Sequence, residues 1–201
     1  SGMPADYEQK AAVTMFTASP ARELTLCPGC PHRASFWSIH NALALDNREG
    51  FVCGDIGCYT MAILGAGFSS IKTAHAMGSG TGIASGFGKL KMFGMEQPVV
   101  SVCGDSTFFH AGIPPLVNAI HNNSDMIMII LDNRGTAMTG FQPHPGLDVD
   151  TMGNSAEATD IAAVCRALGA RVEVSDPFDI ASTQELLLDL IEKGNGARVL
   201  I

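Results

Sequence analysis

The sequence predicts an α/β fold, a doubly wound and mostly parallel sheet with helices on both faces. Three observations carry that prediction. The segments Pro98–Cys103 and Asp125–Leu131 are too uniformly apolar for strands with one wet face, and they match strands buried on both sides. Between and after them apolar residues recur at helical spacing, so strand and helix alternate along the chain. The composition is 46% hydrophobic and 16% charged with 22 glycines, which suits buried strands joined by tight turns.

Residues 1–26 are weakly patterned and read as a surface arm or linker, leaving 27–201 as one domain. Cys27-Pro28-Gly29-Cys30-Pro31 is too rich in Pro and Gly for helix or strand. From His32 to about Asp46, Phe36, Ile39 and Leu43 keep helical spacing behind a proline suited to a first turn. Short strands are expected at Phe51–Cys53 and Ile71–Ala74, each running into glycine-containing turns. A helix of small residues follows from Ile83 to about Phe93, then the strand Pro98–Cys103 and a helix from Pro114-Pro115 to about His121. After the strand ending at Leu131, Thr136–Glu157 shows little periodicity and reads as a long active-site loop, mobile without ligand. Ile161, Val164, Cys165 and Leu168 mark an amphipathic helix stopped by Gly169. A strand at Arg171–Val174, a helix around Ile180–Ile191 and a strand starting at Arg198 complete the pattern, and that last strand suggests a fragment of a longer polypeptide.

A formal net charge of −8 without a basic stripe argues against nucleic acid and anionic membranes as partners. No apolar run reaches the roughly 20 residues that cross a bilayer, and Ser1-Gly2 ahead of Met3 looks like a tag remnant, so a cytoplasmic location is expected. Six cysteines are too sparse for a disulfide scaffold and read as reduced thiols or metal ligands.

Gly104-Asp105-Ser106 ends one buried strand, and Asn133 ends the next, with 27 residues between Asp105 and Asn133. One strand-helix-strand unit therefore sets Asp105 and Asn133 side by side at one sheet edge. A carboxylate and an amide oxygen are hard ligands suited to Mg²⁺, and Gly104 permits close approach of a diphosphate. The same residues would equally serve as a helix cap and a chain turn.

Gly104-Asp105-Ser106, 25 residues and then Asp132-Asn133 resemble the diphosphate motif of thiamine-dependent enzymes, with Ser106 and Asp132 standing where Gly and Asn are usual. That resemblance implies metal ligation by Asp105, Asn133 and the carbonyl of Gly135, with Gly104, Ser106 and Thr107 at the cofactor. Ala76-Met77-Gly78-Ser79-Gly80-Thr81-Gly82 is similar to the glycine-rich segment beside the cofactor in these enzymes, which implies roles for Met77, Gly78 and Ser79. Thr136-Ala137-Met138-Thr139-Gly140-Phe141-Gln142-Pro143-His144-Pro145 resembles a stretch peculiar to the 2-oxoacid:ferredoxin oxidoreductases, adding Thr136, Ala137 and Met138. Cys27-Pro28-Gly29-Cys30-Pro31-His32-Arg33 with Asp55-Ile56-Gly57-Cys58-Tyr59 looks like the indolepyruvate branch of that family and places Cys30, Asp55, Gly57 and Cys58 near the cofactor.

The family resemblance implies oxidative decarboxylation of a 2-oxoacid, an arylpyruvate such as indolepyruvate, with electrons to ferredoxin and acyl transfer to CoA. Thiamine diphosphate and Mg²⁺ are the implied cofactors, and His75 stands where the family carries a pocket histidine, although a loop histidine is as readily a solvated one. An oligomer is expected, with a separate pyrimidine-binding domain supplying the activating glutamate and a ferredoxin or ferredoxin-like domain receiving electrons. Sister branches hold a [4Fe–4S] cluster to which Cys27, Cys30 and Cys58 would contribute; the fourth position falls at Asp176-Pro177. Free thiols lining the cofactor pocket and a zinc site with Cys53 are the alternatives. A non-oxidative thiamine enzyme, decarboxylase or acetolactate synthase-like, and a non-catalytic nucleotide-binding or assembly module are the rival functions.

Overall fold

The computed structural model describes residues 6–18 and 24–201. Six strands form one sheet: β1 (Phe51–Cys53), β2 (Ile71–Thr73), β3 (Val99–Gly104), β4 (Met126–Leu131), β5 (Arg171–Glu173) and β6 (Ala197–Leu200). Their order is β2-β1-β3-β4-β6-β5, and every pairing is parallel, which is the parallel α/β sheet that the sequence predicts. The two edge strands, β2 and β5, have three residues each.

β3 and β4 are the centre because their side chains are buried on both faces. Ile127, Ile129 and Leu131 enter one core with Phe36, Ile39, Leu187 and Leu190. Met126, Met128 and Ile130 alternate into the opposite core with Ala84, Leu116 and Cys165. This two-sided alternation is what an uninterrupted apolar run encodes.

The helices are α1 (Tyr7–Ala18), α2 (Pro31–Asp46), α3 (Ser79–Lys89), α4 (Asp105–Thr107), α5 (Ile113–His121), α6 (Ile161–Ala167) and α7 (Ile180–Glu192). α2 and α7 pack together over one face of the sheet, and α3 and α5 pack together over the other. Asp160 and Asp179 cap α6 and α7, accepting hydrogen bonds from the N–H groups of Ala163 (3.0 Å) and Ser182 (3.2 Å).

Three boundaries differ from the sequence expectation. α1 lies inside the segment read as an arm. α3 starts at Ser79, four residues before Ile83, because the small residues that look like a loop let the helix touch the sheet: a Cβ on Gly80 would sit 2.7 Å from the carbonyl oxygen of Gly54. The helix after β3 begins at once with Asp105, and a π-helical turn, Phe108–Gly112, joins α4 to α5. Pro114 and Pro115 have no N–H to give the carbonyls one turn back, and the widened turn lies immediately before them.

Candidate active site

Parallel β3 and β4 stand in register with Gly104 opposite Leu131, so the residues that follow each emerge together at the carboxyl edge. Asp105 starts α4 and is buried, its side chain only 2% exposed. Its Oδ1 accepts from the N–H of Ser106 (2.8 Å), and its Oδ2 accepts from the N–H of Gly135 (3.1 Å), which ties the two strand tips together. Thr136 donates its hydroxyl to Oγ of Ser106 at 2.9 Å, a second tie across the same gap.

Asp132 receives the N–H of Arg134 on Oδ1 (3.0 Å), an arrangement that uses a left-handed backbone at Arg134, φ 62°. Burial, and then the neighbouring Asp105 carboxyl, raise the pKa of Asp132. Two neighbouring carboxyls at adjacent strand tips are a charge pattern that a bound cation relieves. Beside them the side chain of Asn133 has no hydrogen-bond partner among the described residues. A carboxylate, a free amide oxygen and the Gly135 carbonyl are hard donors that fit Mg²⁺ completed by phosphate oxygens and water.

These tips border a cleft of about 160 Å³. One wall is Gly57, Cys58 and Tyr59, and another is Met77. The floor is Gly104 to Thr107, and Asn133 with Gly135 to Met138 forms the remaining side. A larger cleft, about 230 Å³, opens on the other side of Asn133 between α2 and α7.

Asp55 and Gly78 stand behind the Met77 wall. Asp55 is fully buried and accepts from the N–H of Ile56 (2.7 Å) and of Gly78 (2.7 Å to each oxygen), joining the turn after β1 to the turn before α3. Burial raises its pKa against the pull of those N–H groups and of His110. Gly78 has φ 84°, and a Cβ there would lie 2.5 Å from that of Ala111. Ser79 accepts the N–H of Ala76 on its hydroxyl at 3.1 Å, closing the same turn.

Cys58 lines the cleft, and its thiol pKa is raised by burial and then by Cys30 and Cys27, so the three cysteines are neighbours. Among the described residues, however, no three His, Cys, Asp or Glu side chains form a metal-holding group. Asp176 turns its Oδ1 to the N–H of Phe178 at 2.9 Å. This donor set does not fit a four-ligand iron–sulfur cluster. Cys53 is buried in the core with Cys103 and Cys165, where a zinc ion has no route to it. His75 is exposed and does not line the cleft.

Three residues at the site are under-read in the sequence: Tyr59 receives no role, His32 only a weak case, and His144 attention only as a histidine bordering a proline-rich loop near the pocket. Tyr59 is 4% exposed and donates its hydroxyl to the carbonyl of Ile56 at 2.9 Å, forming the wall beneath Gly104. His32 lines the cleft edge-on to Tyr59, and burial lowers its pKa against the Asp105 carboxylate. His144 reaches Oδ2 of Asp105 with Nε2 at 3.0 Å. The first two sit beside motif residues, which is a usable signal; the third is brought in by a loop return that no periodicity encodes.

Residues 55–200 match the family model described as thiamine pyrophosphate enzyme, C-terminal TPP binding domain. Among curated relatives, the indolepyruvate oxidoreductase subunit IorA of Methanothermobacter marburgensis is 46% identical over 172 residues, covering 84% of this chain and 27% of the relative. The same subunit of Archaeoglobus fulgidus is 37% identical over 185 residues, covering 90% and 29%. The chain thus spans less than a third of the length of the curated relatives it matches. Among solved structures, a 2-oxoglutarate:ferredoxin oxidoreductase from Magnetococcus marinus superposes with TM-score 0.72 at 19% identity, over 92% of this chain and 65% of that one. Benzoylformate decarboxylase from Polynucleobacter necessarius superposes with TM-score 0.56 at 15% identity, over 90% and 34%.

Proposed function

The chain belongs to the family of thiamine pyrophosphate enzymes, as a C-terminal TPP-binding domain, and from that premise we propose that it supplies the diphosphate and Mg²⁺ half-site of a 2-oxoacid:ferredoxin oxidoreductase acting on arylpyruvates. The observation that carries this is the meeting of Asp105, Asn133 and Gly135 at adjacent strand tips, beside a cleft whose walls are the other motif segments. Asp105, the Asn133 amide and the Gly135 carbonyl would hold the metal. Gly104 and the Ser106 and Thr136 hydroxyls border the space left for the diphosphate. When bound, thiamine diphosphate supplies the electron sink for decarboxylation of a 2-oxoacid.

The chain's own residues bind and orient. Tyr59, with its hydroxyl turned to the Ile56 carbonyl, and Met77 present apolar surface to the cleft and restrict water there. Asp55 fixes the Met77-Gly78 turn. His75 is exposed near the same turn, and its role in the proposal is to meet a group delivered by another domain. The indolepyruvate relatives support an arylpyruvate substrate, and the proposal extends to electron delivery to ferredoxin and acyl transfer to CoA. A pyrimidine-binding domain with the activating glutamate, a ferredoxin-like acceptor and an oligomeric, cytoplasmic assembly complete the proposal. Among the described residues no helix is long and apolar enough to cross a membrane. Among the described residues no metal-holding group includes Cys27, Cys30 and Cys58, so the proposal does not include a cluster there.

Calorimetry on the full-length protein carrying this domain tests the assignment. Thiamine diphosphate should bind only with Mg²⁺ present, and Asp105→Ala should abolish that binding while leaving the protein folded. Magnesium-independent binding of the cofactor, or unchanged binding in Asp105→Ala, would overturn it.

A further inference from the structure

Asp105 is 39 positions before His144, yet their side chains meet in a pocket that excludes solvent, at 2% and 5% exposure. The imidazole is fixed on several sides. Its Nδ1 accepts the N–H of Gly146 at 3.1 Å, so the ring proton sits on Nε2 and is donated to Oδ2 of Asp105. Its face lies over Phe109, ring centroids 5.5 Å apart and 31° between planes. Phe109 in turn meets the fully buried Phe108 edge-on, which anchors the stack to the core beneath α5. Gly146 is required for this closeness: a Cβ there would come within 2.9 Å of both the His144 ring and the Phe109 ring.

The consequence for Asp105 is geometric. Ser106 N–H holds Oδ1, while Gly135 N–H and His144 Nε2–H converge on Oδ2 from two different segments. Three donors fix the plane of the carboxylate, and the one from His144 is the only one of the three supplied by a side chain. We propose that His144 is a positioning residue that orients Asp105 for the divalent cation, as a hydrogen-bonded outer partner does for a ligating carboxylate. The inference rests on the metal reading given under the proposed function. It also accounts for the Thr136–Glu157 excursion, which carries the donor back to the strand tip.

The test separates the donor from the ring. His144→Phe keeps a ring against Phe109 and removes the N–H; His144→Gln places an amide N–H and a carbonyl oxygen where Nε2 and Nδ1 were. Mg²⁺ is titrated at fixed pH with saturating thiamine diphosphate in the full-length protein, and binding is read by calorimetry with melting curves alongside. His144→Phe should raise the half-saturating Mg²⁺ concentration by about tenfold or more, with His144→Gln restoring most of the loss. If His144→Phe does not fold, His144→Leu takes its place with the same expectation. A folded donor-less variant with wild-type Mg²⁺ dependence overturns the inference alone, as does His144→Gln failing as badly as His144→Phe. Wild type that takes up no cofactor with Mg²⁺ overturns the functional proposal and this inference with it.

Discussion

Helix α3 carries four glycines, and the structure sorts them by face into opposite responses to one methyl group. Gly80 and Gly88 lie on the side of the helix that meets the sheet; a Cβ on Gly80 would sit 2.7 Å from the Gly54 oxygen and 2.9 Å from that of Cys53. Both obstacles are backbone, which cannot rotate out of the way as a side chain can. Gly86 is exposed and a Cβ there meets nothing within 4 Å. Alanine at an exposed helix interior position gains about 0.5–1 kcal/mol over glycine. The same gain at Gly80 is set against about 1–3 kcal/mol of overpacking, and with rigid obstacles the upper half of that range applies, leaving a net loss of about 1–2 kcal/mol. For a chain of this size about 2–4 °C accompanies each kcal/mol, so Gly86→Ala should melt about 1–4 °C higher and Gly80→Ala about 2–8 °C lower. Thermal unfolding by circular dichroism reads both. Shifts of the same sign in the two variants would refute the claim that contact with the sheet, and not helix propensity, keeps glycine at position 80.

Asp55→Ala should cost about 2–6 kcal/mol in denaturant melts, because the N–H groups of Ile56 and Gly78 lose their acceptor at roughly 1–3 kcal/mol each. Its titration gives a second signature. Burial raises the folded-state pKa above the ordinary value of 3.8, so the stability Asp55 contributes through its proton is fully present below 3.8 and is lost as pH rises through the folded value. The stability gap between wild type and Asp55→Asn should therefore move in favour of wild type as pH falls towards 3.8; a gap that is flat or moves the other way contradicts the burial argument. At the opposite end of the sheet Asp125 bridges Lys91 and Arg198, the latter with a side chain 6% exposed. Asp125→Ala leaves a buried guanidinium alone and should lose about 3–5 kcal/mol, with Asp125→Ala/Arg198→Met recovering part of it. A single-variant loss under about 1 kcal/mol in urea melts would show that Arg198 finds water instead.

The central strands are legible because burial on both faces leaves only apolar residues, so Pro98–Cys103 and Asp125–Leu131 announce their place directly. The adjacency of Asp105 and Asn133 follows from one right-handed crossover between neighbouring parallel strands, a rule that needs no coordinates. The start of α3 is not legible, since Ser79-Gly80-Thr81-Gly82 has the composition of a turn and becomes helix only because the sheet demands the absence of side chains there. α1 escapes for a different reason: its described side chains, residues 7–15, are nearly all exposed, so no apolar stripe is imposed on its sequence. The motif residues of the cleft are assigned by likeness, and position 144 stands out in the sequence only as a loop histidine. Its meeting with Asp105 depends on the path of an irregular loop, which neither a 3.6 nor a 2.0 periodicity records.

The outermost strands, β2 and β5, offer three residues apiece on either side of a long central pair. A foreign chain adding itself laterally would find few free amides and carbonyls to zip against, which disfavours runaway polymerisation by β-augmentation. Association with other polypeptides is thereby directed towards helical surfaces and the loop-bearing rim, where recognition depends on side chains and can discriminate between partners.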